Sequence, residues 1–368
     1  MSTKNSGNTG ATVFSAQPKT AFWRTGVAEP GVYGYENLYK SGFQLPANAR
    51  FSTYGSCFAQ HISRALQGRG QPWVDAEPAP SNFPEHLEAR FNYSIFSSRT
   101  ANIYTARALE YWVSLATTPE LADTVELWEE DGRWRDSLRP MIEPDGFDDA
   151  EECRAMLRGT ARAFRRSIID TDVFVFTLGL TEGFENAQSG QPYAMCPGTL
   201  AGSFDGDLHQ FHNYSYPQIM ASMKAAIEGM RALNPALKLI LTVSPVPLTA
   251  TASQDHVLVA TTYSKSVLRA VAGDLAQEDA GIDYFPSYEI IASPPTRGQF
   301  FLPNMRSVAP YGVQLVMEHF FAGLDLSGAR LTHAADKAAQ DRQAVLKAEE
   351  RALELACEEQ VLEAMNAH

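Results

Sequence analysis

Residues 55–59 read Gly-Ser-Cys-Phe-Ala, which sets a small residue, a hydroxyl and a thiol side by side. Arg50-Phe51-Ser52-Thr53-Tyr54 before them is a short β-type run, and Phe58, Ile62, Ala65 and Leu66 after them recur at helical spacing. The block therefore falls where a buried strand turns into a helix. Gly55 has no Cβ and permits a tight turn. Ser56 and Cys57 then occupy the start of a helix over 57–67, where free backbone N–H groups and the positive dipole end favour a thiolate or an oxyanion. The chemistry this suits is nucleophilic attack. The alternative is a plain glycine turn, with Ser56 as an N-cap and Cys57 as a small buried side chain.

A nucleophile needs a base and oxyanion donors, and polar clusters stand at the ends of the other strand-like runs. After the run at 172–178 comes Gly179-Leu180-Thr181-Glu182-Gly183, where Gly179 allows close backbone approach and Thr181 can donate a hydrogen bond. The alternative there is an ordinary turn with a capping Glu. After 237–244 come Ser244-Pro245-Val246-Pro247, a polar loop holding Asp255 and His256, and Tyr263-Ser264-Lys265 on the next helix. Beyond 282–285 lie Asn304-Met305-Arg306-Ser307 and Pro310. Of the eight histidines, His256 alone shares a strand-to-helix loop with an adjacent carboxylate, which suits a general base or a solvated neighbour of the helix start. His61 is a second candidate, one helical turn past Cys57. His209 and His212 flank Phe211 in an expected loop, too loosely spaced for a metal site. His86, His319, His333 and His368 read as structural or exposed.

These clusters need a scaffold that brings strand ends together. Strands are expected at 50–54, 72–74, 172–178, 237–244 and 282–285. Helices are expected at 57–67, 104–115, 150–168, 219–233, 257–275 and 312–321. The run at 172–178 is apolar throughout, as in a strand covered on both faces. Five short strands alternating with helices predict a parallel, doubly wound sheet in a three-layer α/β/α sandwich. In such sheets ligands bind beyond the carboxyl ends of the strands, where all of these clusters fall. The stretch between the second and third strands exceeds one crossover and predicts a helical insertion over about 80–168. Residues 1–20 are expected to be a flexible arm, 21–325 the α/β domain, and 326–368 a long amphipathic helix. In that tail Leu346 and Leu353 are seven apart, as are Leu355 and Leu362, a spacing suited to packing on the domain or pairing with a second copy.

Bulk properties narrow the partners. A net charge of −13 disfavours nucleic acid and anionic membranes as main partners. No apolar run is long enough to span a bilayer, and residues 1–10 lack the apolar core of a signal peptide. The four cysteines, Cys57, Cys153, Cys196 and Cys357, contain no Cys-x-x-Cys pair, which disfavours a structural zinc site and a disulfide scaffold. A reducing cytoplasm is the expected setting, with no metal and no cofactor.

Gly55-Ser-Cys-Phe-Ala, with Phe176-Thr-Leu-Gly-Leu-Thr-Glu, Ser244-Pro-Val-Pro, Tyr263-Ser-Lys-Ser-Val-Leu-Arg and Tyr284-Phe-Pro-Ser-Tyr-Glu, resembles the GSCFA family in collinear order from about residue 21 to 321. The resemblance implies the flavodoxin-like fold of the SGNH (GDSL-type) hydrolases, which open with Gly-Asp-Ser after the first strand. It lays Cys57 on the nucleophile's place, with Ser56 beside it. It lays Gly179-Leu-Thr-Glu on a Gly-x-Asn-Asp oxyanion block, where Thr181 and backbone N–H groups stand in for the missing Asn. At the place of the SGNH Asp-x-x-His this chain has Asn304-Met-Arg-Ser307, so the base would have moved, with His256 its first candidate. The implied activity is hydrolysis or O-acyl transfer on an acylated small molecule or carbohydrate. Acyl-CoA or another acyl-thioester fits as donor, and Gly55, Glu182, Ser244, Lys265 and Asn304 join the binding set. The insertion, with Trp73, Tyr104 and Trp112, would grip the substrate. The competing expectation is an SGNH-fold binding or scaffold protein without turnover.

Overall fold

The computed structural model describes residues 12–326, so residues 327–368 of the expected C-terminal helix and residues 1–11 of the expected arm lie outside the described residues. The elements are β1 (Phe51–Gly55), α1 (Ala59–Gly68), α2 (Glu85–Glu88), α3 (Ala106–Thr117), a hairpin of β2 (Leu127–Glu130) and β3 (Arg133–Asp136), and α4 (Ala150–Ile169). Then follow β4 (Val173–Leu178), a second hairpin of β5 (Glu182–Asn186) and β6 (His209–Asn213), α5 (Tyr216–Leu233), β7 (Lys238–Val243), α6 (Val257–Glu278), β8 (Ile282–Phe285), α7 (Ser287–Ala292) and α8 (Pro310–Leu324).

The central sheet is parallel, in the order β1-β4-β7-β8, with Phe51 opposite Val173, Val173 opposite Lys238 and Leu239 opposite Ile282. It has four strands where five were expected. The missing one is the stretch at 72–74, reduced to a single parallel bridge between Trp73 and Phe51. Two hydrogen bonds make that bridge, Phe51 N–H to the Pro72 carbonyl and Val74 N–H to the Phe51 carbonyl, each 2.8 Å. Pro72 has no N–H to extend the ladder backward, and forward of the bridge Ser97 takes both the N–H and the carbonyl of Thr53, so a full strand does not form. The order of elements is nonetheless that of a doubly wound sheet with its second strand shrunk to one contact.

Helices cover both faces. α3, α4, α5 and α6 pack Leu109, Phe164, Met223 and Leu268 against Phe174, Phe176, Leu239 and Leu241. α1, α7 and α8 pack Ile62, Ile290 and Phe320 against Phe51, Val175 and Ile240 on the opposite face. β4 alternates Phe174, Phe176 and Leu178 to one side with Val173 and Val175 to the other, which is why its sequence is apolar at nearly every position. β1 is less apolar because its polar side chains find buried partners: Ser52 Oγ donates to the Ser167 carbonyl at 2.7 Å, and Thr53 and Ser63 hydroxyls meet at 2.7 Å.

Local signals place the helix ends. Asp149 caps α4 by accepting from Glu152 N–H at 2.7 Å, and Ser215 with Gln218 forms a capping box on α5. α5 stops at Asn234, whose side-chain amide ties to the Ile168 and Thr171 carbonyls. The expected insertion contains α3, the β2–β3 hairpin and α4, but α3 and α4 are part of the layer covering the sheet. Among the described residues, no helix is long and apolar enough to cross a membrane.

Candidate active site

β1 and β4 send the chain to opposite faces: α1 follows β1 onto one, and α5 follows β4 onto the other. The crevice between their carboxyl ends is therefore the topological switch point of the sheet. Three chain segments converge there. Ile103 N–H donates to the Gly55 carbonyl at 2.8 Å, and Gly179 and Leu180 N–H both donate to the Tyr104 carbonyl at 3.0 Å. Ser56 N–H donates to the Thr177 carbonyl at 3.1 Å.

Glycine is required at two of these positions. Gly55 has φ +134°, and a Cβ there would collide with the Thr177 backbone. A Cβ on Gly179 would lie 3.0 Å from both Ser56 Cβ and the Tyr104 carbonyl. The expectation of close backbone approach at Gly179 thus has a concrete partner, the Ser56 side chain.

Ser56 and Cys57 are 2% and 5% exposed. The Ser56 hydroxyl is buried without a hydrogen-bond partner, so Ser56 is not the helix cap it was allowed to be. Phe58 holds the N-cap position of α1, with no side-chain cap. The turn closes by Ala59 N–H to the Ser56 carbonyl and Gln60 N–H to the Cys57 carbonyl, at 2.8 and 3.2 Å. Among the described residues nothing accepts from the N–H groups of Cys57 and Phe58, and nothing bonds the Cys57 sulfur. Unused donors at a helix start suit an oxyanion.

The other expected residues are placed differently. Thr181 N–H donates to Ser264 Oγ at 3.0 Å, and its hydroxyl donates to Asn213 Oδ1 at 2.8 Å. The Thr181 hydroxyl expected to serve an oxyanion is thereby engaged, as are the Gly179 and Ser56 N–H groups on the Tyr104 and Thr177 carbonyls. Lys265 is buried and its ammonium donates to the Gly179 carbonyl at 2.7 Å, fixing the loop that backs Ser56. Ser244 N–H donates to the Leu178 carbonyl, and its hydroxyl accepts from Val246 N–H. Glu182 opens β5 instead of capping a helix; it accepts from the Thr251 hydroxyl at 2.7 Å and from Ala252 N–H at 3.2 Å.

Neither imidazole candidate bonds the thiol. His256 is exposed and caps α6, its Nδ1 accepting from Leu258 N–H at 3.2 Å. His61 packs edge-on against Phe58, and burial, helped by the nearby Arg64, pushes its pKa down to about 4. Asn304 and Ser307 close on each other: Asn304 Nδ2 donates to Ser307 Oγ at 3.0 Å, and Asn304 Oδ1 accepts from Arg306 and Ser307 N–H. His209 and His212 lie on β6, not in a loop. Among the described residues no cluster of His, Cys, Asp and Glu is arranged to hold a metal.

A cavity of about 330 Å3 opens beside this turn, under the β5–β6 hairpin. Asn102, Tyr104 and Leu180 connect it to the Gly55–Cys57 turn, and Gln60 Nε2 on α1 donates to Asn102 Oδ1 at 3.2 Å. Trp112, Tyr193 and Phe211 supply much of its wall. Of the three aromatics expected to grip a substrate, Tyr104 and Trp112 line it. Trp73 instead donates its indole N–H to Thr53 Oγ1 at 2.8 Å. The cavity went unread because its lining comes from residues between 102 and 252, joined by packing and not by any local pattern.

The GSCFA family model matches residues 50–320 of the 368. No curated protein and no solved structure matches the chain.

Proposed function

The chain belongs to the GSCFA family, and on that premise we propose that it is an acyl-ester hydrolase or O-acyltransferase with Cys57 as nucleophile. The observation that carries this reading is the turn at the switch point, with its thiol and two unengaged N–H groups beside a cavity. The thiolate sulfur adds to the ester carbonyl, and the oxyanion takes the N–H groups of Cys57 and Phe58. The C–O bond then breaks, the leaving alkoxide takes back through solvent the proton that the thiol gave up, and a thioester remains on Cys57. Water or an acceptor hydroxyl attacks that thioester, releasing the acid or a new ester and restoring the thiol. A thiol demands less of a base than a serine hydroxyl does, which accommodates the absence of a bonded imidazole.

The test is incubation of the full chain with p-nitrophenyl butyrate, followed by peptide mass spectrometry. A butyryl adduct on the peptide containing Cys57, absent from Cys57→Ala, is the expected result. Turnover that survives Cys57→Ala would overturn the assignment.

A second reading, ligand binding without turnover, draws support from Thr181 and from the Asn304–Ser307 turn, whose polar groups are spent on each other or on neighbours. It predicts saturable binding in the cavity and no adduct.

A further inference from the structure

The charge distribution around the cavity is one-sided. Among its described lining residues Glu182 is the only one with a formal charge, and none is Lys, Arg or His. Its carboxylate is held by the Thr251 hydroxyl and Ala252 N–H, and both residues also line the cavity. An ionised carboxylate offers roughly four lone-pair sites, so two bonds leave it able to accept from a ligand. The nearby cations are turned elsewhere. Arg107 pairs with Glu110 at 3.0 Å and Glu185 at 3.6 Å, and Lys265 is held on the Gly179 carbonyl behind the turn.

We infer that the cavity selects an aromatic group bearing no negative charge, and that Glu182 is the residue that sets this selectivity. The rings of Tyr104, Trp112, Phe184, Tyr193 and Phe211 give flat apolar contact and favour a cation over a neutral group. The volume of about 330 Å3 admits a fused bicyclic ring with a short arm. A carboxylate carried into the same space meets Glu182 with no cation to compensate, which is discrimination by repulsion. The inference deepens the proposed function by naming the substrate's non-reacting part, and it rests on that reading only for the ester's direction, carbonyl toward Cys57 and arm toward Glu182.

Three probes of one shape test it on the full chain by calorimetry: 2-naphthylmethylammonium, 2-naphthylmethanol and 2-naphthoate. Affinity should fall in that order, with at least ~10-fold between the first and last, as one unfavourable charge contact entails. Glu182→Gln keeps an acceptor for the Thr251 loop and should narrow the gap to about threefold or less. Ala252→Trp, on the exposed rim, should weaken all three probes. If Glu182→Gln fails to fold, the wild-type gap itself must shrink from low to high salt. Naphthoate binding as tightly as the ammonium, a gap untouched by Glu182→Gln, or no saturable binding would overturn the inference. The same titrations in Cys57→Ala separate the two claims. The affinity order with no butyryl adduct in the wild type sinks the nucleophile and keeps the selectivity, whereas an adduct without the order does the reverse.

Discussion

One polar turn directly follows β1 and another lies between α7 and α8, and they differ in how their polar atoms are spent. At Asn304–Ser307 the amide, the hydroxyl and two backbone N–H groups bond one another in an exposed turn. At Gly55–Cys57 the Ser56 hydroxyl is buried without a partner, and two N–H groups find no acceptor among the described residues. A self-satisfied turn has nothing left to offer a substrate. Buried, unengaged donors and hydroxyls cost free energy that a fold ordinarily avoids, and that cost underlies the function proposed for this turn. The comparison separates the two segments: Asn304–Ser307 is a self-bonded structural turn, while the Gly55–Cys57 turn keeps its open groups.

The comparison breaks first on Gly55. Gly55→Val would set a side chain into the Thr177 backbone at φ +134° and should cost more than ~4 kcal/mol or prevent folding, read by urea unfolding. Asn304→Ala removes only an exposed turn's bonds and should cost about 1 kcal/mol or less in the same measurement. In turnover of p-nitrophenyl butyrate, Cys57→Ala should lose at least ~100-fold, and Ser307→Ala should stay within about twofold. Equal losses at both turns would erase the distinction.

His61 sharpens the comparison through pH. Its pKa is held down to about 4 in the folded protein against 6.5 for an ordinary histidine, so the unfolded chain binds the proton first. The stability that comes from keeping this ring neutral is whole above pH 6.5, is lost as pH falls from there, and the loss is complete below about 4. His61→Phe should flatten that part of a pH-stability curve. A curve unchanged by the substitution would mean that the ring is not shielded beside Phe58.

The smallest effect expected is also the most discriminating. Ser56→Ala deletes a hydroxyl that has no partner and should leave stability within about 0.5 kcal/mol, or raise it. Thr181→Val removes the hydroxyl that Asn213 Oδ1 accepts from, leaves the backbone bond to Ser264 in place, and should cost about 1–3 kcal/mol. Were Ser56→Ala the more costly of the two, its hydroxyl would have a partner after all.

The sequence was legible where one local rule dominates. β4 and β7 announce themselves as apolar runs, α5 by its helical period and Asn-Pro stop, and the Gly55 turn by the change of period around it. What escaped were features made by distant partners. Trp73 reads as part of a strand, but only one bridge forms, because Pro72 cannot donate on one side of it and the distant Ser97 takes Thr53 on the other. Glu182-Gly-Phe-Glu-Asn and His209-Gln-Phe-His-Asn read as turn and loop because neither is strongly apolar, yet they pair in register as β5 and β6. Thr181 was legible as a hydroxyl at a strand end, but not as a group committed to Ser264 and Asn213, since both partners arrive from other elements.

The shrunken second strand has one more consequence, for solubility. Beyond the single bridge at Phe51, the outer edge of β1 is covered by irregular chain: the Ser97 hydroxyl accepts from Thr53 N–H, Ser97 N–H donates to the Thr53 carbonyl, and Ile103 N–H reaches the Gly55 carbonyl. An edge covered this way offers no straight template for another chain's strand. That cover continues directly into Asn102 and Tyr104, so the wall of the cavity doubles as the guard of the sheet's edge. Variants that loosen it risk aggregating in storage even where they still bind, and long-term monodispersity becomes a property of the same few residues that shape the site.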